Sequence, residues 1–281
     1  MIHICLTIDD NYAHLAELCI NQICRVKHPD TEITFYILGN HVTSFRNLLE
    51  FERYPGICVR YTNYDITKRL SIDIKSQPHL TRTCWIRYFI PEIDLFEGIN
   101  RVLYLDADVV VRKDLTELYR IDLQDAPVGV VKDAGRFKWF PTDLKTYLGF
   151  NTGVMIMDLP KLRELNYTST CIDLTLKHPT DDQGVMNLWM RDKVCFLPPQ
   201  YNLSYHYFKQ YPEYQDVSKW NNLYGLHLKN LDELTRFCES ATIWHFHGGN
   251  DKRKKQPITI QIYQKLEQEL AQFLKKGGIN S

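Results

Sequence analysis

The chain has 281 residues, and its 34 Lys plus Arg balance 34 Asp plus Glu, so the formal net charge is zero. That balance excludes a general nucleic-acid binder, which needs a basic excess to meet phosphates. Hydrophobic content is 44% and charged content 24%, enough to bury a full core as one α/β domain without staples. No stretch approaches 18 apolar residues, so no membrane-spanning helix is expected.

The first apolar run, Ile2–Ile8, reads as a strand, and the leading MIHICLTIDD lacks the basic flank of a signal peptide. Ala13–Val26 places Leu15, Leu18, Cys19, Gln22 and Ile23 at helical spacing. A strand at Glu32–Leu38, a helix at Thr43–Tyr54 and a strand at Ile57–Tyr61 follow. Thr83–Ile90 reads as a helix whose continuation Pro91 weakens. Arg101–Leu105 is a further strand, ended by Asp106-Ala107-Asp108. This alternation predicts βαβ units and a mostly parallel sheet.

In the second half, Val128–Val131 and Val154–Met157 read as strands, and Pro160 opens a helix running to Leu176. Asp181–Met190 reads as a short helix capped by Asp181 or Asp182. Residues 198–240, rich in Tyr, Asn and Pro, show no readable order, and Ala241–Phe246 is the last strand. Eight cysteines lie mostly in apolar runs with no CxxC pair. They read as reduced thiols of a cytosolic protein, not as a disulfide framework or zinc site.

The strongest chemical signal is Leu103-Tyr104-Leu105-Asp106-Ala107-Asp108-Val109-Val110. On an extended chain, residues two apart point to the same side, so both carboxylates can meet one hard divalent cation. They sit at the carboxyl end of a strand, where open α/β sheets bind ligands. A turn or helix cap is the competing reading of a bare DxD.

Five motifs in order, from Ile2 to Gly248, resemble glycosyltransferase family 8, with bacterial lipooligosaccharide galactosyl- and glucosyltransferases as the nearest likeness. The resemblance implies a GT-A fold: an α/β domain around a mostly parallel sheet with a C-terminal helical tail. It implies retaining transfer of galactose or glucose from UDP-galactose or UDP-glucose to a saccharide or glycolipid acceptor, such as lipopolysaccharide. In Asp9-Asp10-Asn11-Tyr12, Asp9 would read the uracil, Asn11 the ribose, and Tyr12 would stack on the base; a helix-capping turn is the alternative. Arg87 would touch the donor sugar and steady nearby carboxylates. Asp106-Ala107-Asp108 would lie against the diphosphate, with Asp106, Asp108 and His245 holding Mn²⁺ or Mg²⁺. Asn151, in Phe150-Asn151-Thr152-Gly153-Val154, and Asp133 would contact the sugar. Asp182 would bind sugar hydroxyls and Gln183 would sit beneath the anomeric carbon, so Gln183, Asp182 and Asp133 form the expected catalytic group. The family usually reads DQD there, and this chain has Gly184 in place of the second acid. Gly248 closes the Trp244-His245-Phe246-His247-Gly248 segment and counts with the donor-binding residues. The lysine of the family's KPW-like segment is matched only by a shifted Lys252. Acceptor contacts are expected from Ser71–Leu80 and from loops within 198–256.

A carboxamide is a poor nucleophile, so the reading favours same-face substitution over a covalent intermediate on Gln183. A sugar-1-phosphate nucleotidyltransferase would need glycines after the first strand, and the loop Asp9–Tyr12 has none. A binding module without activity should have lost metal ligands, and all three are present.

The expected organisation is a catalytic domain at 1–256 and a basic amphipathic tail at 257–281. Residues 252–281 hold seven Lys or Arg against two Glu, and Ile258, Ile262, Leu266, Leu270, Phe273 and Leu274 form one apolar stripe. Such a helix fits the cytoplasmic face of an anionic membrane, or packs on its own domain or a second subunit.

Overall fold

The structure, a computed structural model, describes residues 1–40, 42–44, 47–69, 82–133, 149–178, 180–190, 192–210, 212–246 and 257–276. β1 (Ile2–Ile8) leads into α1 (Ala13–Val26), then β2 (Ile33–Gly39) and β3 (Ile57–Asn63). β4 (Arg101–Leu105) and β5 (Val109–Val111) flank the two-carboxylate segment, and the single turn α2 (Thr116–Tyr119) precedes β6 (Val128–Lys132) and β7 (Phe150–Asp158). There follow α3 (Leu159–Glu164), α4 (Tyr167–Lys177), α5 (Asp182–Met190) and β8 (Val194–Phe196). The chain continues through α6 (Tyr205–Gln210), α7 (Val217–Tyr224), α8 (Leu231–Ser240), β9 (Ile243–His245) and α9 (Pro257–Lys275).

Seven strands form one sheet in the order β3-β2-β1-β4-β7-β6-β8. All neighbours are parallel except β7, which runs antiparallel to both β4 and β6. Both faces are covered, which explains the near-continuous apolar runs. Ile4, Leu6, Leu103, Leu105, Val154 and Ile156 face the layer containing α1 and α9. Cys5, Val102, Tyr104, Met155 and Met157 face the layer containing α4 and α5. A second, two-stranded sheet pairs β5 with β9.

Several sequence expectations change in detail. Among the described residues of the expected Thr43–Tyr54 helix, Leu48–Arg53 is helical, as a 3₁₀ turn, while Asp10 accepts from the backbone N–H groups of Thr43 and Ser44 and holds those two residues as a loop. Thr83–Ile90 is likewise 3₁₀, over Arg82–Tyr88. The helix expected from Pro160 to Leu176 is two helices, broken where Asn166 turns left-handed at φ 52°. α5 is capped by Asp181, whose Oδ1 accepts from Gly184 N at 2.6 Å, and this leaves Asp182 for other partners. All eight cysteines are free.

Of the tail's three readings, the structure shows the stripe packed on the protein's own domain. Leu266 and Leu270 are buried, and Ile258, Ile262, Phe273 and Leu274 pack against the same core. Phe273 stacks on Tyr54 with ring centroids 4.4 Å apart. No helix among the described residues is long and apolar enough to cross a membrane.

Candidate active site

The carboxyl ends of β1, β4 and β6 open on the same side of the sheet, and antiparallel β7 brings its first residues there. Asp106 follows β4 and Asp108 precedes β5; β9 pairs with β5 so that His245 lies opposite Val109. His245 Nε2 then lies 3.2 Å from Asp108 Oδ1 and 3.7 Å from Asp106 Oδ2. One ligand atom from each residue lies within 4.8 Å of the others. Burial disfavours charge on His245, but the hydrogen bond and charge of Asp108, then Asp106 and Asp133, outweigh it and raise its pKa. Two carboxylates and an imidazole are a donor set suited to a divalent cation. The backbone is shaped to the same space: a Cβ on Gly153 would fall 2.1 Å from His245 Cε1 and 2.5 Å from Asp106 Oδ2. Glycine is required there by close approach, and the residues fit a cation.

A break in the β6–β7 ladder creates the rest of the site. Val130 pairs with Met155 but Val131 pairs with Asn151, so residues 152–154 bulge on that side. Their polar groups find partners outside β6 instead. Thr152 O and Oγ1 accept from Arg87 Nη1 at 2.9 and 3.0 Å, and Gly153 O accepts from Asp106 N at 2.8 Å. Arg87, 4% exposed, also reaches Asp106 Oδ1 from Nη2 at 3.0 Å and Asp182 Oδ2 from Nε at 3.1 Å. Its guanidinium lies over the Tyr104 ring. Burial works against that charge, but Asp182, Tyr104 and Asp106 outweigh it and hold the pKa well above its ordinary value. Tyr104 donates its hydroxyl hydrogen to Asp106 Oδ1 at 2.8 Å.

The remaining polar groups form one line. His245 Nδ1 lies 2.8 Å from Asn202 Oδ1, and Asn202 Nδ2 donates to Asn151 Oδ1 at 2.8 Å. Asn151 Nδ2 donates to Gln183 Oε1 at 3.0 Å, and Gln183 Nε2 donates to Asp133 Oδ2 at 3.0 Å.

The glycosyl transferase family 8 profile matches residues 3–252. The chain belongs to glycosyl transferase family 8. Among relatives of this family 8 protein, General stress protein A of Bacillus subtilis is 27% identical over 215 residues, covering 72% of this chain and 73% of that one. Glycosyltransferase GlyF of Streptococcus pneumoniae is 26% identical over 203 residues, covering 71% of this chain but 48% of GlyF, so this chain spans about half of that relative. A lipopolysaccharide 1,2-glucosyltransferase of Escherichia coli K12 is 34% identical over 138 residues, 44% of this chain and 39% of that one. The solved structure of the galactosyltransferase LgtC, in complex with donor and acceptor sugar analogs, superposes with a TM-score of 0.70 at 20% identity over 96% of each chain. The fold of this family 8 chain is therefore GT-A.

The structure brings Arg87, Asp106, Asp108, Asp133, Asn151, Asp182, Gln183 and His245 into one connected cluster, with Ala107 buried between the two acids. Asp9 accepts from Thr83 Oγ1 at 3.3 Å, on the same 3₁₀ segment that carries Arg87. Its Oδ1 accepts from Asn11 N, and no side chain caps α1, so the capping alternative for this loop does not hold. Tyr12 is half-buried against the core. Gly248, Lys252, His247 and Ser71–Leu80 lie outside the described residues. At Gly184, which stands in place of the second acid of the usual family pattern, a Cβ would meet Thr180 Oγ1 at 1.9 Å, so an acid there would require Thr180 to move. Sequence reasoning missed Asn202, which lies in the unordered stretch, and the Tyr104 hydroxyl; a single Asn between apolar Tyr201 and Leu203 is the only local sign of the former.

Proposed function

We propose that this protein transfers galactose or glucose from its UDP-sugar to a saccharide hydroxyl, retaining the anomeric configuration, with Mn²⁺ or Mg²⁺ held by Asp106, Asp108 and His245. The observation that carries the reading is the single hydrogen-bonded line from that acid–imidazole group to Gln183 and Asp133. Two carboxylates and an imidazole thus stand beside a row of amides and acids at one sheet end, which supports a cation next to a hexose. Bound there, a divalent cation supplies charge stabilisation to a leaving diphosphate. Asp9, Asn11 and Tyr12 would hold the nucleoside, and Asp182 and Asn151 the hexose.

Gln183 supports same-face substitution. Its Oε1 already accepts from Asn151 Nδ2 and Thr152 N, and its Nε2 donates to Asp133, so it is fixed as a neutral floor beneath the sugar and not freed as a nucleophile. In that route the acceptor oxygen bonds to C1 as the C1–O bond to the diphosphate breaks. The electron pair leaves with the diphosphate, which also takes the hydroxyl proton. The catalytic unit is residues 1–256, clasped by α9. Likeness to lipopolysaccharide glucosyltransferases supports a cell-surface glycan or glycolipid acceptor. Such an acceptor favours work at the cytoplasmic face of a membrane; with the stripe buried, contact there would come from exposed lysines.

Calorimetry of UDP with and without EDTA, followed by a UDP-sugar hydrolysis screen with Mn²⁺, tests the proposal. UDP affinity should collapse with EDTA, and one hexose should be hydrolysed. Asp108→Asn should remove both while the fold persists. Equal UDP affinity in both conditions would exclude the cation's role.

A further inference from the structure

The direction of every bond in the amide line follows from two backbone groups. The N–H of Gly153 can only donate, so the Asn151 atom 2.9 Å from it is its carbonyl oxygen. The Asn202 atom 2.8 Å from that oxygen is then its NH₂, and the atom Asn202 turns to His245 Nδ1 is its oxygen. An acceptor at 2.8 Å requires a proton on Nδ1. Asp108 Oδ1, 3.2 Å from Nε2, is an acceptor as well, so both ring nitrogens face acceptors; Asn202 holds the proton on Nδ1, and the Nε2 side, toward Asp108 and Asp106, is the one a cation would take. The same logic runs the other way. Thr152 N donates to Gln183 Oε1 at 3.3 Å, so Asn151 presents its NH₂ to that oxygen and Gln183 turns its own NH₂ to Asp133. Rotating any one amide by half a turn sets donor against donor or acceptor against acceptor.

We propose that Asn202 is a positioning residue: it commits His245 to the Nδ1–H tautomer, leaving Nε2 for a cation, and ties that choice to the orientation of Asn151 and Gln183. The part concerning the cation rests on the function proposed above; the Nδ1–H bond to Asn202 does not. Asn202 is 6% exposed between buried Tyr201 and Leu203. Backbone bonds from Leu203 N to Ile243 O and from His245 N to Leu203 O hold its segment beside β9. A carboxamide meets the need because it offers one acceptor and one donor in a single plane, at the two points required. Outer partners of metal-binding histidines typically contribute about 10- to 100-fold in metal affinity.

The test uses the full chain. Mn²⁺ affinity in the presence of UDP, read from the free-ion electron paramagnetic resonance signal, should fall about 10- to 100-fold in Asn202→Leu. Asn202→Asp keeps an acceptor for His245 but turns an oxygen toward Asn151 Oδ1. It should bind Mn²⁺ at least as well as wild type, while kcat for donor hydrolysis drops and KM for the UDP-sugar holds. A role in packing alone would make both variants lose both properties together, and that result overturns the proposal, as does unchanged Mn²⁺ affinity in Asn202→Leu. Nitrogen-15 NMR of the metal-free wild type at alkaline pH gives a readout independent of any variant's folding. A proton on Nδ1 of His245 is expected, and an unprotonated Nδ1 refutes the inference. If wild-type UDP binding ignores Mn²⁺, the functional proposal fails in the control, before any variant is compared.

Discussion

Two arginine–carboxylate contacts in this molecule are alike in chemistry and opposite in setting. Arg87 Nε lies 3.1 Å from Asp182, with the two side chains 5% and 7% exposed. Arg25 Nε lies 3.7 Å from Glu269, with 40% and 18% exposed. The first stands in the floor of the site, where neither charge can fall back on water if its partner goes. The second stands at the seam of α1 and α9, where water screens it. The floor is thus held by mutual dependence among charges, whereas the tail is held by apolar contact, and its ion pairs only trim the edge.

The largest break in this contrast should come from Arg87→Met. It leaves Asp182 without its cation and removes one from Asp106, and it should destabilise the fold by about 3–5 kcal/mol. Equilibrium urea unfolding reads this, and a loss below about 1 kcal/mol would mean that the buried pair is no more mutually dependent than the screened one. Next comes Leu270→Ala in the buried stripe of α9, where Leu270 is 4% exposed. Removing that side chain should cost about 2–5 kcal/mol, toward the low end if α9 settles into the gap. A loss within measurement error would mean that α9 does not clasp the domain in solution. Glu269→Gln should cost no more than about 1 kcal/mol, since the new amide oxygen can still accept from Gln22 Nε2. Added salt should abolish even that difference.

The smallest effect concerns Asp10, fully exposed, whose hydrogen bonds from Thr43 and Ser44 lower its pKa from 3.8 to about 2. A depressed carboxylate pKa stabilises the folded state above the unfolded value and loses that contribution as pH falls through the folded one. Between pH 4 and 2, stability of the wild type should therefore drop more steeply than that of Asp10→Asn, in acid-unfolding curves followed by circular dichroism. Parallel curves would show that the 43–44 loop gains nothing from Asp10.

Legibility in the sequence followed the range of the interactions concerned. β1, α1 and β4 carry the boundaries expected of them, Ile2–Ile8, Ala13–Val26 and Arg101–Leu105. Their signals are local: a continuous apolar run for a strand covered on both faces, or side chains at helical spacing. The Pro160–Leu176 helix failed for a local reason that periodicity does not register, since a single left-handed Asn166 interrupts it. In the site, Asp106 and Asp108 could be singled out because their spacing along one strand end is itself the signal. Arg87 could be singled out only through resemblance, because what makes it special is Thr152, 65 residues away, and Asp182 beyond it.

By itself the sequence determined the alternation of elements, the mostly parallel sheet and the acid pair at its carboxyl end, because hydrophobic period and carboxylate spacing act within a few residues. Tertiary structure alone decided three further matters. It chose the domain surface as the partner of the tail's apolar stripe, a choice that amphipathicity leaves open until a complementary face such as α1 and Tyr54 is present. It freed the backbone of residues 152–154 by bulging β7 against β6, which depends on pairing between strands. And it set Asn202 between His245 and Asn151, 43 and 51 residues away along the chain. A carboxamide has no preferred partner in sequence; buried, it must find one, and the surrounding fold decides which.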